Sequence, residues 1–567
     1  MSYYTRAMAL YPEDKEVRRK YLIKNFQGIM FNLKNVITCS EMDIKKNSMT
    51  YVFEHIKNTI VTLICYFVSD EDKLFLEKKQ WTDLKYRKKL FDVLIDLENK
   101  SVLIWMFLHF NYYITDDLDI KRKILLENIE MFNKYYPEKL YFKSIDELFI
   151  VFANSNPLYT ISYHNRNNKD VLAAYCKMLR KICPDLNYNG LTNRKTSRSP
   201  NEKIKVCFFS DLLTIESSVL RDRIGIISQL PADKFDVYYM GFKPGDKING
   251  LMSKTFYSML KTKYIQLPER ISDCRKFIED KKFDVLVYCE IGMQCRAQFL
   301  SYARLAPVQV NTWGHSETSG IDTIDYFVSS KYFEIEQPQA QYSEKIYLMD
   351  SLSTYYYPPS KILLPDNYVF KSRKDLNLSD DDHIYGCIQS SFKISEEFEK
   401  IMDGILRNDP KGKIILSYYQ PFCKSQIERM RRLMGDERLK RIIFLPGMPI
   451  PKYLNYIKCF DVMIDPYPFG GCNTSMEAFD LDIPVVTMPT RFLNGRFTFG
   501  MYKKMGFIDL VADTSQNYIT IAVKIGTDSN FRNSMIEKIN KNKKILFQER
   551  ASVNDWETFL LTAYRNI

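Results

Sequence analysis

The sequence predicts an α/β chain, with two parallel sheets covered by helices on both faces and preceded by an all-α segment. Three observations lead there. After Lys203, short apolar runs alternate with helical patterns, as in parallel sheets buried on both faces. From Asp14 to about Asn187, apolar residues instead recur at three- and four-residue spacing with charges between them. Between the two regions NGLTNRKTSRSPNEK, Asn189 to Lys203, is polar and basic with few apolar residues, which marks a linker.

The helical segment is carried by EVRRKYLIKNFQGIMFNLKNVI, YVFEHIKNTIVTLICYFV and DIKRKILLENIEMFNKYY, and no unit of fixed length repeats within it. The first sheet is read from KIKVCFFS, FDVYYMGF, FDVLVYCEIG, PVQVNTWG and DYFVSS. The second is read from IYGCIQS, KIILSYY, RIIFLPG, FDVMIDP and IPVVTMP, with the division near Pro358 to Asp375. The expected domains are therefore 1–188 all-α, 189–203 linker, 204–365 and 366–550 for the two sheets, and 551–567 a closing helix that packs back on them.

Composition narrows the function classes. The 567 residues are 46% hydrophobic and 26% charged, long enough for several buried cores. A balance of 81 basic to 69 acidic residues gives +12, which suits anionic small molecules and is not gathered into a basic face for nucleic acid. The twelve cysteines include no CxxC pair and the five histidines no metal-ligand pair, so neither zinc nor a disulfide framework is expected. The longest apolar runs are too short to span a bilayer and the first residues lack a signal core, so a cytoplasmic protein is expected. Lys, Asn, Ile and Tyr usage points to an AT-rich genome, of a virus or an intracellular organism.

The densest chemistry lies in FDVMIDPYPFGGCNTSMEAFDLDIPVVTMP, Phe460 to Pro489, read as strand, glycine turn, helix and strand. Gly470 and Gly471 let the backbone approach a ligand, Asn473 or Thr474 can cap the helix, and the helix start would aim N–H groups at an anion. The alternative is an ordinary βαβ unit with a glycine-rich turn. In open α/β sheets ligands sit beyond the carboxyl ends of strands. There the second sheet offers Lys393, Gly470, Gly471 and Arg496; the first offers Asp211 to Arg223, Gly292, and Gly314 with His315. If the sheets face each other, both sets line one cleft.

The run DPYPFGGCNTSMEA with IPVVTMP, the earlier APVQVNTWGHSETSG with IDYFVSS, and SYHNRNNKDVLAAYCKMLRKICPDLNY upstream together resemble the family-41 glycosyltransferases. These are the O-linked N-acetylglucosamine transferases and the bacterial HMW1C-like protein glucosyltransferases, and the helical start without tetratricopeptide repeats is nearer the latter. The resemblance spans about Ser162 to Leu546. It implies a GT-B fold of two facing Rossmann-like domains, a UDP-sugar donor such as UDP-GlcNAc or UDP-glucose, inversion at the anomeric carbon and no metal cofactor. Carried over residue by residue, Lys393 matches the lysine on the donor diphosphate and Ser390 a polar position of the same loop. Cys472, Asn473 and Thr474 fall on a donor-binding stretch, and Glu477 falls where the family has a ribose-binding aspartate. Gly314, His315, Thr318 and Ser319 match a loop bordering the transferred sugar.

Two departures stand out. SDLLTIESSVLRDR lacks the family's histidine, leaving Glu216 as a substitute base or a solvated carboxylate, and Cys472 replaces a histidine on the phosphate side. His315 is read as catalytic or as a structural histidine, Arg496 as a donor contact or a partner of Asp509, and Tyr453 and Tyr456 as packing. Asp380, Asp381 and Asp382 read as a solvated turn rather than a metal cluster. The function expected is metal-independent transfer of a hexose or N-acetylhexosamine from a UDP-sugar to a protein Ser/Thr or Asn side chain or to a glycan. A competing reading is a catalytically impaired UDP-sugar-binding scaffold, and a homo-oligomer is left open.

Overall fold

The computed structural model describes residues 80–96, 98, 100–109, 118–152, 156, 158–191, 202–212, 217–242, 264–365, 367–417 and 423–566. The first two helical patterns of the sequence, residues 192–201 of the linker, and Glu216 lie outside these. The chain divides into two compact units. The first holds the helices Leu84–Asp96, Leu118–Tyr135 and Ile145–Phe152. Leu90, Phe91 and Leu94 share one face of the first of these, and Phe91 sets its ring edge-on to Phe107 at 5.3 Å and to Phe132 at 5.1 Å. Arg87 is buried there, donating to Asn128 Oδ1 at 2.6 Å and paired with Glu127.

The second unit takes in residues 158–173 and nearly all of the chain from 187 onward. It contains two wholly parallel sheets. The first comprises β1 (Ile204–Phe209), β2 (Phe235–Gly241), β3 (Tyr264–Gln266), β4 (Val285–Tyr288), β5 (Val308–Thr312), β6 (Tyr326–Ser330) and β7 (Lys345–Met349), in spatial order β3-β2-β1-β4-β5-β6-β7. The second comprises β8 (His383–Cys387), β9 (Gly412–Ser417), β10 (Ile442–Leu445), β11 (Val462–Ile464) and β12 (Val485–Val486), in order β10-β9-β8-β11-β12. This is the GT-B-like pair of Rossmann-like sheets.

Every run read from sequence became a strand, and β3 and β7 were added at the edges of the first sheet. An edge strand is covered less completely, so its burial is broken: β3 is partly exposed throughout and β7 only ends buried. The central strands read as near-continuous apolar runs because helices cover both faces, with Val206 and Phe208 wholly buried in β1 and Ile414 and Ile415 in β9.

The closing helix, Arg550–Arg565, follows the second sheet in sequence yet packs on the first. Trp556 is fully buried among Val206, Phe208 and Val237, and its indole N–H donates to the Ser353 carbonyl at 2.9 Å. The segment 158–173 is also bound to this unit: Asn494 Nδ2 donates to the Ser162 carbonyl at 2.6 Å, and Asn168 Nδ2 to Glu317 at 2.8 Å.

Each sheet reverses its winding once, between β1 and β4 in the first and between β8 and β11 in the second. Loops leaving the carboxyl ends of the strands at such a reversal diverge to opposite faces and leave a crevice between them. The fold therefore prepares two crevices, one in each sheet.

Candidate active site

A cavity of about 430 Å³ is lined by residues from both sheets, within the roughly 300–1,000 Å³ usual for small-molecule sites. Beyond β8 it takes Gln389, Ser390, Phe392 and Lys393; beyond β11 it takes Phe469, Gly470, Cys472, Asn473, Thr474 and Glu477. These loops flank the winding reversal of the second sheet. From the first sheet come Ser218, Arg221 and Asp222 on the helix Ser218–Gln229, together with Trp313, Gly314 and His315 after β5. Tyr159 and Tyr163 from the 158–173 segment close one side.

The glycine turn is organised by Asp465 at the end of β11. Its carboxylate accepts from the Gly471 N–H at 2.6 Å and from Thr487 Oγ1 at 2.8 Å. A Cβ on Gly471 would fall 2.2 Å from Thr474 Oγ1 and 2.3 Å from Gln389 Nε2, so a side chain there would push β8's loop off the turn. Gly471 thus serves close packing, and its N–H is spent inside the protein. Gly314 likewise lets the β5 loop close on β4, since a Cβ would meet the Cys289 carbonyl oxygen at 2.0 Å.

The helix Asn473–Asp480 begins after Cys472 with no side-chain cap. Asn473 and Thr474, read as caps, are used elsewhere. Asn473 Oδ1 accepts from Tyr356 Oη at 2.5 Å while its Nδ2 donates to Asp222 at 3.0 Å, and Thr474 Oγ1 accepts from Gln389 at 2.5 Å. The result is a helix start without a side-chain cap whose first residues, Cys472, Asn473 and Thr474, line the cavity, and a helix start is a place that holds anions.

Lys393 stands in a 3-10 turn, Ser391–Lys393, ahead of the helix Glu396–Asn408, rather than at a helix start. Its ammonium donates to Gln389 Oε1 and to the Gly470 carbonyl, each at 3.0 Å, leaving one of three donors for a ligand. It also lies 4.5 Å from the centre of the Phe469 ring. Burial lowers its pKa to about 8. The ammonium is charged below that pH and is lost above it, so the affinity of an anion held beside it should weaken roughly tenfold between about pH 7 and about pH 9, with UDP as the probe. Calorimetric titration of UDP at the two pH values checks this; an affinity flat across the range would contradict it.

Glu477 is buried and engaged on both oxygens, by Arg221 Nη1 at 2.5 Å and by Tyr453 Oη at 2.8 Å. Burial alone would lower the Arg221 pKa, but neighbouring Tyr356, Glu477 and Asp222 raise it above the ordinary guanidinium value. His315 stacks on Tyr159 at 5.5 Å, and burial holds its pKa down at about 4, so the imidazole is neutral. Tyr163 stacks on Phe469 at 4.5 Å, extending an aromatic wall opposite the helix start. Cys472 remains a thiol, because burial pushes its pKa well up.

Several sequence-read residues lie elsewhere. Thr318 and Ser319 are buried and held by Glu344, through Thr318 Oγ1 at 2.5 Å and the Ser319 N–H at 2.8 Å, and neither lines the cavity. Arg496 donates to the carbonyls of Phe333 (2.6 Å) and Thr490 (2.9 Å) and also stays off the lining, while Asp509 pairs with Lys538 at 2.7 Å. Tyr456 is core, but Tyr453 reaches the cavity. Arg221 and Asp222 fall in the stretch Asp211 to Arg223 read from sequence as lining the cleft, though neither is singled out there; Gln389, Tyr159 and Tyr163 were missed. Asp382 is paired with Lys413 at 2.6 Å, and among the described residues no group of three or more His, Cys, Asp or Glu is placed to hold a metal. No described helix is long and apolar enough to cross a membrane.

Comparison with known proteins agrees with this fold. Residues 359–555 match the model of glycosyl transferase family 41. A probable UDP-N-acetylglucosamine–peptide N-acetylglucosaminyltransferase SPINDLY of Solanum lycopersicum is 26% identical over 248 residues, 42% of this chain and 26% of the relative. A UDP-glucose:protein N-beta-glucosyltransferase of Actinobacillus pleuropneumoniae is 23% identical over 283 residues, 49% of this chain and 43% of the relative. The chain thus spans less than half the length of these curated relatives. Among solved structures, an O-GlcNAc transferase variant from Thermobaculum terrenum shares the fold, with a TM-score of 0.62 at 17% identity over 99% of this chain and 93% of that one. Residues 359–555 are thus similar to glycosyl transferase family 41, on a chain that shares the GT-B-like fold.

Proposed function

We propose that the chain is a metal-independent, inverting glycosyltransferase that moves a hexose or N-acetylhexosamine from a UDP-sugar to a protein Ser/Thr or Asn side chain, or to a glycan. The observation that carries the reading is the convergence of Lys393 and the uncapped start of the Asn473–Asp480 helix on one cavity. Sugar transfer from UDP expels a diphosphate, and a cation with oriented N–H groups stabilises that charge where other enzymes use a metal. Glu477 and Tyr453 suit the ribose and uracil side, and the relatives' names supply the two candidate donors, UDP-N-acetylglucosamine and UDP-glucose. His315 and the aromatic wall of Tyr159 and Tyr163 face the sugar and acceptor side.

A second reading, a UDP-sugar-binding scaffold, is favoured by one feature: both Glu477 oxygens are already occupied by Arg221 and Tyr453, so a ribose must share or displace them. The two are separated by assaying UDP release and transfer from a panel of UDP-sugars with EDTA present, beside calorimetric binding of UDP. Turnover of one donor that survives chelation is the expected result. Binding without turnover of any donor would favour the scaffold, and absence of both would remove the nucleotide site.

A further inference from the structure

Displacement at an anomeric carbon by a hydroxyl needs a group to accept the acceptor's proton. His315 is poorly suited, since its imidazole holds a proton only well below neutrality. On the helix Ser218–Gln229, residues 221 and 222 each follow residue 218 by about one turn, and all three line the cavity. Arg221 is committed to Glu477. Asp222 is held on one side only: Oδ1 accepts from Asn473 Nδ2 at 3.0 Å, while Oδ2 has no hydrogen-bond donor among the described residues and is not sealed from the cavity. Cys472, at the head of the Asn473–Asp480 helix, lies within electrostatic reach of both Asp222 and Lys393. A carboxylate and a leaving-group cation therefore flank the same helix start.

We propose that Asp222 is the general base of the transfer, an assignment that rests on the glycosyltransferase reading above. As the acceptor oxygen forms its bond to the anomeric carbon, the bond from that carbon to the diphosphate oxygen breaks and its electron pair leaves with UDP. The acceptor proton passes to Asp222 Oδ2. Lys393 and the helix N–H groups carry the charge on the departing diphosphate.

The surroundings tune the acid for this work. Burial raises the Asp222 pKa to about 7, against the lowering pull of Arg223, Arg221 and the Asn473 hydrogen bond and with a smaller raising effect of Glu477. Tyr356, Cys289 and Cys472 also face it, and burial keeps all three protonated. The base form is present above about pH 7 and lost below, so kcat should fall tenfold per pH unit on the acid side.

The test compares wild type, Asp222→Asn and Asp222→Glu as UDP-sugar hydrolases, with water as acceptor, and with azide, which attacks without losing a proton. Asp222→Asn keeps the oxygen facing Asn473, so its melting temperature and UDP affinity should stay near wild type. Its hydrolysis should fall roughly 10²- to 10⁴-fold and lose the acid limb, azide transfer should stay within about threefold, and Asp222→Glu should recover part of the rate. Equal loss with water and azide would make Asp222 a positioning or structural group, and undiminished hydrolysis with the acid limb intact would remove it from the chemistry; either overturns the proposal. Wild type that binds UDP but turns over no donor would instead overturn the transferase reading, and the base assignment with it.

Discussion

Replacing Lys393 with alanine is expected to weaken UDP binding by roughly 10- to 100-fold, the effect of losing about 1.5–3 kcal/mol from a charge-assisted contact. Turnover should fall further than binding, by an additional factor of roughly 10²–10³, because charge on the diphosphate is greatest as the sugar leaves. The variant should remain folded. The lysine is held by Gln389 and the Gly470 carbonyl, but a burial-lowered pKa means the fold itself gains little from its charge. Calorimetry of UDP together with steady-state kinetics measures both parts. An alanine variant with wild-type affinity and turnover would displace the diphosphate from this corner of the cavity.

Arg221→Ala should have the largest effect on stability. Arg221 and Glu477 join the two sheets through a buried pair at 2.5 Å, and removing the guanidinium leaves the Glu477 carboxylate with only the Tyr453 hydroxyl. Breaking a buried pair from one side costs about 3–5 kcal/mol, whereas replacing both members with apolar residues of similar volume is often close to neutral. The double variant Arg221→Met/Glu477→Leu should therefore unfold nearer to wild type than Arg221→Ala does. Urea unfolding of the three proteins decides it: an Arg221→Ala variant as stable as wild type would mean that the pair is solvated and contributes little.

The two interactions differ in how far the sequence disclosed them. Lys393, the glycine turn and Glu477 lie close to strands whose apolar runs are unmistakable, because a parallel strand buried on both faces leaves a continuous signature. The loops at the carboxyl ends of those strands could be named as cavity-lining without coordinates. The same logic failed for Arg496, Thr318 and Ser319. Each follows a strand, but its polar groups satisfy buried carbonyls or a buried carboxylate instead of facing the cavity. A loop's position says where it leaves the sheet and not which way each side chain turns.

For Arg221 and Asp222 the sequence offered a stretch, Asp211 to Arg223, and no roles, because nothing within the helix Ser218–Gln229 names the partner of either charge. Their partners, Glu477 and Asn473, lie 256 and 251 positions away in sequence. The sequence by itself determined the class of each sheet, the glycine turn and the cavity-lining lysine, since each depends on neighbours within one strand, turn and helix. Only the tertiary structure decided that Arg221 would neutralise Glu477, that Asp222 would open onto the cavity and that Trp556 would close the first sheet. Those outcomes depend on which surfaces are brought together when distant segments exclude water, and a local pattern holds no record of that.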